Sequence, residues 1–429
     1  MSVLAEAQEL RPDLTRLRRA LHADPEIGLH LPRTQEKVLA ALDGLGLDIT
    51  VGKALTSVTA VVRAQRPADG SQGGSQTSDV PAVAPAAPVL LRADLDALPL
   101  SEATGLDFAS RTPGAAHACG HDLHAAMLIG AARLLAARRD RLPGDVILMF
   151  QPGEEGHDGA RLMLEEGLLD AAGARPAAAY ALHAASSAPL GSFGSRPGPA
   201  LAASGTVEVL FRGSGGHGAW PHAARDPIPA LGAAIGALQT MVTRRFDAQE
   251  PVLVSVGRVS AGTAANIIPE TAQLAATLRA FSDDTHRRLA AEIERVVHGI
   301  AAAHGVEAEV THSPGYPVTV NDPAATDFVA GVCAEVFGAD RFAAAERPAL
   351  VSDDIGRVLA EVPGAMVSLG ARPPQLDAAR AEPNHSPRAV FDDAVLADGA
   401  ALLAELALRS PRRTLPDHAR RTTEGRPLT

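Results

Sequence analysis

Aromatic residues and cysteines are scarce in this chain. Phe, Trp and Tyr make up only 3% of its 429 residues, whereas hydrophobic residues make up 46%, so we expect a core filled mainly by aliphatic side chains. The two cysteines, Cys119 and Cys333, are too few for the disulfide framework of a small secreted domain. The overall composition is that of a globular protein and excludes a fibrous or disordered one.

Clustered positive charge and long apolar runs are also missing. The net charge of −11 argues against nucleic acid as a main partner, because phosphate binding needs clustered cations. The apolar run at residues 228–242 is too short to span a bilayer. The first ten residues lack the basic and apolar segments of a secretory signal. We therefore expect a cytoplasmic protein without a membrane partner.

Strand and helix patterns alternate over the first 200 residues. Strands are predicted at residues 56–62, 89–94, 145–150 and 177–183, and helices at residues 5–22, 34–45, 124–138 and 160–166. This alternation is typical of an α/β domain in which a largely parallel sheet is covered on both faces. Ligands of such sheets bind beyond the carboxyl ends of the strands.

The pattern changes after about residue 200. Strands are predicted at residues 206–212, 252–259 and 272–280, and helices at residues 227–244 and 285–303. This order suits a small α+β domain with an open antiparallel sheet, whose exposed edge strand and apolar helix faces suggest a dimer surface. Since the chain is longer than one core usually supports, we predict a catalytic domain formed by residues 1–200 and 313–410, interrupted by a second domain at residues 201–312.

Two segments lie outside these patterns. Residues 64–88 are rich in Pro, Gly, Ser and Ala, and we interpret them as a mobile surface loop that joins two strands of a hairpin. Residues 411–429 are polar and rich in Pro and Arg, which predicts a disordered tail.

Side chains that can bind metal lie near the predicted strand ends and in nearby loops. They include a thiol, imidazoles and carboxylates, and they are Cys119, His121, Glu154, Glu155, His183 and His385. Such a set is sufficient for two divalent ions, which two-metal sites hold roughly 3.5–4 Å apart. Adjacent side chains diverge, so we expect the neighbouring glutamates to act as one metal ligand and one general base. Each signal alone is more often incidental, but their joint placement favours a hydrolytic metal site.

Other chemistries are less well supported by the sequence. The segment Gly213-Ser-Gly-Gly-His-Gly218 matches a dinucleotide-binding pattern, but no complete βαβ unit follows it. Ser204, Ser214 and Ser386 do not lie in a Gly-x-Ser-x-Gly elbow. Cys119 is possible as a covalent nucleophile, although the nearby histidines fit metal ligation better.

The chain resembles the M20 family of metallopeptidases and amidohydrolases, in particular the branch that holds hippurate hydrolase, N-acyl-amino-acid amidohydrolases and auxin-conjugate hydrolases. The matching segments occur in the family order, and they are residues 91–99, 117–124, 151–156, 215–217 with 221–222, 266–269 and 384–385. The resemblance implies a zinc-peptidase-like α/β catalytic domain with a mixed, largely parallel sheet. It also implies that this domain is interrupted by a ferredoxin-like α+β lid and dimerisation domain.

The resemblance further implies roles for individual residues. Glu154 would be the general base, and Asp96 would support the metal site without binding metal. His217 would help to stabilise the oxyanion, in some relatives across a dimer interface, while Asn266 and Arg279 would hold the substrate carboxylate. The implied metal ligands are Cys119, His121, Glu155, His183 and His385. The remaining polar residues of the cysteine segment are expected to support the ligands, and they are His117, Asp122 and His124.

These observations together predict a metal-dependent amidohydrolase that cleaves N-acyl or N-aroyl L-amino acids to a carboxylic acid and a free amino acid. We expect a homodimer with two divalent ions per site, zinc or manganese, with cobalt or nickel as alternatives. A dipeptidase or another N-acyl-amine deacylase remains open. A metal-binding interaction protein without catalysis is also open, although the presence of both Glu154 and Glu155 speaks against it.

Overall fold

The computed structural model describes residues 1–65 and 86–410, which form two compact units. The first unit contains Asn321–Ala345 and the described parts of residues 1–195 and 358–429. The second contains Arg196–Val320 and Glu346–Arg357. The domain boundaries predicted from the sequence stay a prediction. Most of residues 64–88, interpreted above as mobile, lie outside the described residues. All of residues 411–429, predicted to be disordered, also lie outside them.

Strands and helices alternate along much of the described chain. The strands are β1 (Asp48–Val51), β2 (Val58–Val62), β3 (Val89–Asp94), β4 (Val146–Gln151), β5 (Ala178–Pro189), β6 (Phe193–Ser195), β7 (Gly198–Leu201), β8 (Ala203–Arg212), β9 (Gly216–His217), β10 (Val252–Ala261), β11 (Ile267–Ile268), β12 (Thr271–Ala280), β13 (Glu307–Pro314), β14 (Thr319–Asn321), β15 (Phe342–Ala344) and β16 (Gly364–Arg372). The helices are α1 (Val3–His22), α2 (Pro32–Leu42), α3 (His121–Ala136), α4 (Gly159–Glu165), α5 (Pro227–Arg245), α6 (Asp283–Ala303), α7 (Pro323–Phe337), α8 (Ile355–Glu361) and α9 (Val395–Leu408).

An eight-stranded mixed sheet with the order β1-β2-β4-β3-β5-β16-β6-β15 lies at the centre of the first unit. Strands β4, β3, β5 and β16 are parallel to one another, whereas β2 runs antiparallel to β4 and β1 runs antiparallel to β2. Every residue of β3 and β4 is buried, as expected when both faces are covered. The predicted α/β fold with a mixed, largely parallel sheet is confirmed. The predicted hairpin around residues 64–88 is wrong, because β4 lies between β2 and β3.

Helix α3 is buried along most of its length and packs against α1 and α9. Gly130 makes this close packing possible. A Cβ atom there would lie 2.7 Å from the Cβ of Ala400 and 2.8 Å from Cδ1 of Leu14. The helix begins at His121, so the packing of its apolar residues fixes the position of a candidate metal ligand.

The second unit has the element order β8-α5-β10-β12-α6-β13. Its four strands form an antiparallel sheet in the order β10-β12-β8-β13, which is a ferredoxin-like arrangement. Burial alternates along β8 and β12, and their buried side chains pack with α5 and α6 in a separate core. Among the described residues of both units, no helix is long and apolar enough to cross a membrane.

Candidate metal centre

Loops after neighbouring parallel strands bring the candidate residues of the first unit together. Strands β4, β3 and β5 are adjacent, so their carboxyl ends lie at one edge of the sheet. Asp96 follows β3, and the pair Glu154-Glu155 follows β4. His183 lies inside β5 and not at its end as predicted, because β16 continues to pair with β5 as far as Pro189.

Cys119 and His121 flank a sharp turn at the start of α3. Gly120 between them has a φ of +90°, a conformation that favours glycine. The Nδ1 atom of His121 lies 2.8 Å from the backbone oxygen of Asp96, which directs Nε2 toward the other donors. This Nε2 atom is buried and makes no hydrogen bond with any described residue. A buried imidazole nitrogen without a partner is suited to bind a metal ion.

Donor atoms of the candidate residues form overlapping groups in which all atoms lie within 4.8 Å of one another. One group contains Cys119, His121 and His183, and a second contains Cys119, Glu155 and His385. The thiol of Cys119 belongs to both groups and lies 3.5 Å from Nε2 of His183. A thiolate in this position could be shared by two metal ions, so the donor set fits a two-ion centre.

His385 reaches the second group from the loop before α9. Its Nε2 atom lies 3.2 Å from Oε1 of Glu155, and its backbone N–H donates to the oxygen of Ala118 at 2.8 Å. Its φ of 71° is in the left-handed region, which residues other than glycine rarely adopt. Strain of this kind is concentrated at functional sites, where surrounding contacts hold it in place.

Electrostatic effects favour the metal-binding form of the shared thiol. Burial alone would raise the pKa of Cys119, but the charges of His183 and His121 outweigh burial and hold this pKa well below its usual range. Hydrogen bonds to Cys119 and Glu155 raise the pKa of His385 to about 10. Cys119 therefore favours the thiolate form, which is the form that binds metal.

His124 cannot serve as a further ligand, because both of its ring nitrogens are in use. Its Nε2 atom accepts a hydrogen bond from the backbone N–H of Ala184 at 2.7 Å, so the proton is on Nδ1, which donates to Asp94. Burial would raise the pKa of Asp94, but Arg92, at 2.6 Å, helps to hold it well below its usual range. This role of Arg92 was not predicted from the sequence. A charged residue inside an otherwise apolar strand was the signal that could have revealed it.

The other two residues expected to support the ligands are also buried. Asp122 pairs with Arg18 and with His22, each at 2.7 Å, which ties α3 to α1. Burial lowers the pKa of His117 to about 4, so this imidazole is neutral. Neither ring nitrogen of His117 hydrogen-bonds to a residue within the described ranges.

Asp96 binds the backbone of the glutamate pair. Its two carboxylate oxygens accept the backbone N–H groups of Glu154 and Glu155, both at 2.9 Å. Oε2 of Glu154 and Oε1 of Glu155 each lie 3.9 Å from Nε2 of His121. Both glutamates thus face the same imidazole, and Asp96 fixes the backbone from which they extend.

Asp96→Ala is expected to lower kcat/KM by about 10- to 100-fold, the usual effect of losing a group that orients metal ligands. Asp322→Ala is the matched control. Asp322 also accepts a backbone N–H, that of Ala325 at 2.8 Å, but it caps α7. Its loss should lower the free energy of unfolding by about 1 kcal/mol and leave kcat/KM unchanged. Steady-state assays of both variants test this prediction, and equal losses of kcat/KM would contradict it.

The remaining candidate residues belong to the second unit. His217 and Asn266 are neighbours, because His217 pairs with Ile267 and the N–H of Gly218 donates to the oxygen of Asn266 at 2.9 Å. Asn266 comes shortly before the first residue of β12, whereas Arg279 lies near the last one. The guanidinium of Arg279 donates to Leu350, Thr277 and Leu278. The second unit therefore brings His217 and Asn266 together but separates them from Arg279.

The model of one protein family matches most of this chain. The model of peptidase family M20/M25/M40 matches residues 90–409. The chain belongs to this family. The family resemblance inferred from the sequence is confirmed, and membership makes the chain a metal-binding hydrolase of the amidohydrolase and peptidase type.

Three M20 relatives match this chain along nearly their whole length. Thermostable carboxypeptidase 2 of Saccharolobus solfataricus is 32% identical over 408 residues, which cover 94% of this chain and 97% of the relative. N-acetylcysteine deacetylase of Bacillus subtilis is 33% identical over 396 residues, with coverages of 92% and 96%. Hippurate hydrolase of Campylobacter jejuni is 32% identical over 412 residues, with coverages of 95% and 99%.

A solved M20 structure has the same fold. It is a dinuclear metal-binding peptidase from Bacillus subtilis, with a TM-score of 0.77 and 30% identity, and the match covers 94% of this chain and 98% of that one. A family member that binds two metal ions agrees with the two donor groups that share Cys119.

Proposed function

We propose that this chain is an amidohydrolase that cleaves N-acyl or N-aroyl L-amino acids with the help of two divalent metal ions. The observation that carries the proposal is the pair of donor groups that share Cys119, with the carboxylate of Glu154 directly beside them. The relatives named N-acetylcysteine deacetylase and hippurate hydrolase support the choice of N-acyl amino acids as the substrate class.

The metal ligands in this proposal are the five residues of the two donor groups. Cys119 belongs to both groups, and His121, His183, Glu155 and His385 would complete the ligand set. Zinc or manganese suits this set best, and cobalt or nickel are alternatives. Bound divalent ions would polarise the scissile carbonyl and increase the acidity of a water molecule.

Glu154 acts as the general base in this proposal. Its side chain is almost fully buried, and its Oε2 atom lies 3.9 Å from Nε2 of His121. From there it can take a proton from the attacking water and pass it to the leaving amine. Glu155 contacts His385, which leaves the role of base to its neighbour.

Substrate binding in this proposal requires a homodimer. Thr271 and Arg279 are eight residues apart on β12, which corresponds to about 27 Å of extended strand. His217 and Asn266 lie beyond the Thr271 end, so one second unit cannot place them with Arg279 on one small substrate. We propose that His217 of one copy stabilises the oxyanion, while Asn266 of that copy and Arg279 of the other copy hold the substrate carboxylate.

A carboxypeptidase or dipeptidase is the second candidate. It is favoured by the relative named thermostable carboxypeptidase 2, whose identity to this chain is similar to that of the two acyl-amino-acid hydrolases. The proposal that the chain only binds metal is less favoured, because Glu154 would then have no role. A cytoplasmic location, expected from the sequence, also stays a prediction.

A hydrolysis screen tests the proposed substrate class. N-acetyl, N-benzoyl and indole-acetyl L-amino acids are incubated with enzyme loaded with zinc, manganese, cobalt or nickel, and release of the free amino acid is measured. Dipeptides with the same C-terminal residue and a free amino terminus are the matched control. We expect the N-acyl amino acids to be cleaved faster than the dipeptides. They should also be cleaved faster than their own C-terminal amides, which lack the carboxylate for Arg279. Faster cleavage of the dipeptides would instead establish the peptidase.

A further inference from the structure

The side-chain amide of Asn384 makes hydrogen bonds on both of its sides. Its Nδ2 atom donates to the backbone oxygen of Cys119 at 3.1 Å and to that of Ala184 at 2.9 Å. Its Oδ1 atom accepts from the backbone N–H of Ser186 at 3.0 Å. The Ser186 hydroxyl lies at the same distance, but its one hydrogen also has a closer acceptor, the backbone oxygen of Glu382 at 2.7 Å. Both N–H groups and the oxygen of this amide are therefore engaged, which fixes its orientation.

The partners of Asn384 lie beside three of the proposed metal ligands. Cys119 is itself a proposed ligand, and Ala184 directly follows the proposed ligand His183. Asn384 directly precedes the third, His385. These ligands come from the turn before α3, from β5 and from the loop before α9, so they are far apart in sequence. The amide of Asn384 connects all three segments through direct hydrogen bonds.

We infer that Asn384 is a positioning residue that sets the spacing of Cys119, His183 and His385 before metal binds. This inference rests on the proposed metal centre. The fold already orders each segment, but without Asn384 the ions themselves would have to help set the spacing between the three, which weakens binding. Among isosteric side chains only an amide fits, because aspartate cannot donate to the oxygens of Cys119 and Ala184. The hydrogen bonds of Asn384, together with the bond from the N–H of His385 to the oxygen of Ala118, also hold His385 at its strained φ.

Asn384 also contacts the shared ligand atom. Its Nδ2 atom lies 3.8 Å from Sγ of Cys119, so the N–H that it donates to the backbone oxygen of Cys119 can be shared weakly with the thiolate. Hydrogen bonds to a ligating sulfur alter how much electron density it gives to the metal. Loss of Asn384 should therefore change the thiolate-to-cobalt charge-transfer band of the Co²⁺-loaded enzyme. A residue with only a structural role would not affect that band.

Asn321 offers a matched control for this test. It is a buried asparagine of the same unit, whose amide donates to Ser195 and Met366 and accepts the N–H of Met366 at 2.9 Å. These partners are not among the proposed ligands or their neighbours in sequence. Asn384→Ala and Asn321→Ala should therefore both lower the temperature of unfolding, but only the first should affect metal binding.

The experiment is a titration of the metal-free wild type, Asn384→Ala and Asn321→Ala with Co²⁺ and with Zn²⁺. We expect Asn384→Ala to bind about 10- to 100-fold more weakly than wild type and to show a shifted charge-transfer band, with no change in Asn321→Ala. Asn384→Asp is prepared in parallel in case Asn384→Ala does not fold. It keeps the acceptor for Ser186 but replaces the donors with a second acceptor oxygen and adds a negative charge, so its decisive readout is the shifted charge-transfer band.

The outcomes separate this inference from the proposed function. Metal affinity and a charge-transfer band equal to those of wild type in Asn384→Ala or Asn384→Asp would overturn the positioning role and leave the metal centre intact. Equal weakening in Asn321→Ala would also overturn it, because the effect would then reflect general loss of packing. A wild type that binds neither Co²⁺ nor Zn²⁺ would contradict the proposed centre itself.

Discussion

Glu154→Gln is expected to lower kcat by about 10²- to 10⁴-fold, the range that general base catalysis contributes, while bound metal stays at the wild-type level. Glutamine keeps the shape of the side chain but cannot accept the proton from water. The backbone N–H groups of this loop remain bound to Asp96, so the loop itself should not move. Steady-state kinetics together with elemental analysis of the same sample give the measurement.

Glu155→Gln is the natural comparison for this prediction, since the two residues are adjacent and both lie 3.9 Å from Nε2 of His121. Only Glu155 belongs to the donor group with Cys119 and His385, so its replacement should reduce bound metal as well as turnover. If Glu154→Gln lost metal and Glu155→Gln retained it, the two assignments would have to be exchanged. Substantial turnover in Glu154→Gln would remove it as the base.

Cys119→Ala is expected to lose both metal ions and, with them, all measurable turnover. The thiol belongs to both donor groups, so its removal leaves two donors in each. Loss of any of the other four proposed ligands, by contrast, removes a donor from only one of these two groups. Elemental analysis of the purified variant, followed by an activity assay with added zinc or manganese, gives the measurement.

The second cysteine of the chain is the control for this experiment. Cys333 is buried in the core of the first unit, and burial raises its pKa to about 12, so it remains a protonated thiol. Cys333→Ala should lower stability through the cavity it leaves and keep its metal. Full metal content in Cys119→Ala would exclude this residue from the ligand set.

The sequence predicted elements with clear periodicity well and failed where periodicity is absent. Helix α1 and strand β3 lie within two residues of their predicted bounds, because one presents an apolar face and the other is a short apolar run. No element was predicted for α9, an alanine-rich helix that is buried on nearly all sides. Strand β16 was also missed, and its pairing with β5 explains why β5 continues past His183.

The residues of the candidate site could be predicted from their types and positions in the sequence, but the arrangement of their donor atoms could not. The position of thiol, imidazole and carboxylate groups near strand ends indicated which residues to group. That Cys119 belongs to two groups depends on distances between distant segments, which no local pattern encodes. The proton position on His124 likewise depends on Asp94 and Ala184, which lie 30 and 60 residues away in sequence.

The number of divalent ions bound by each wild-type chain tests the central claim most directly. Elemental analysis of purified protein is repeated after dialysis against a chelator and after addition of zinc or manganese, with turnover measured at each step. The proposed centre predicts two ions per chain, loss of turnover when they are removed, and recovery when they are restored. Turnover that persists in chelator-treated, metal-free protein would contradict it.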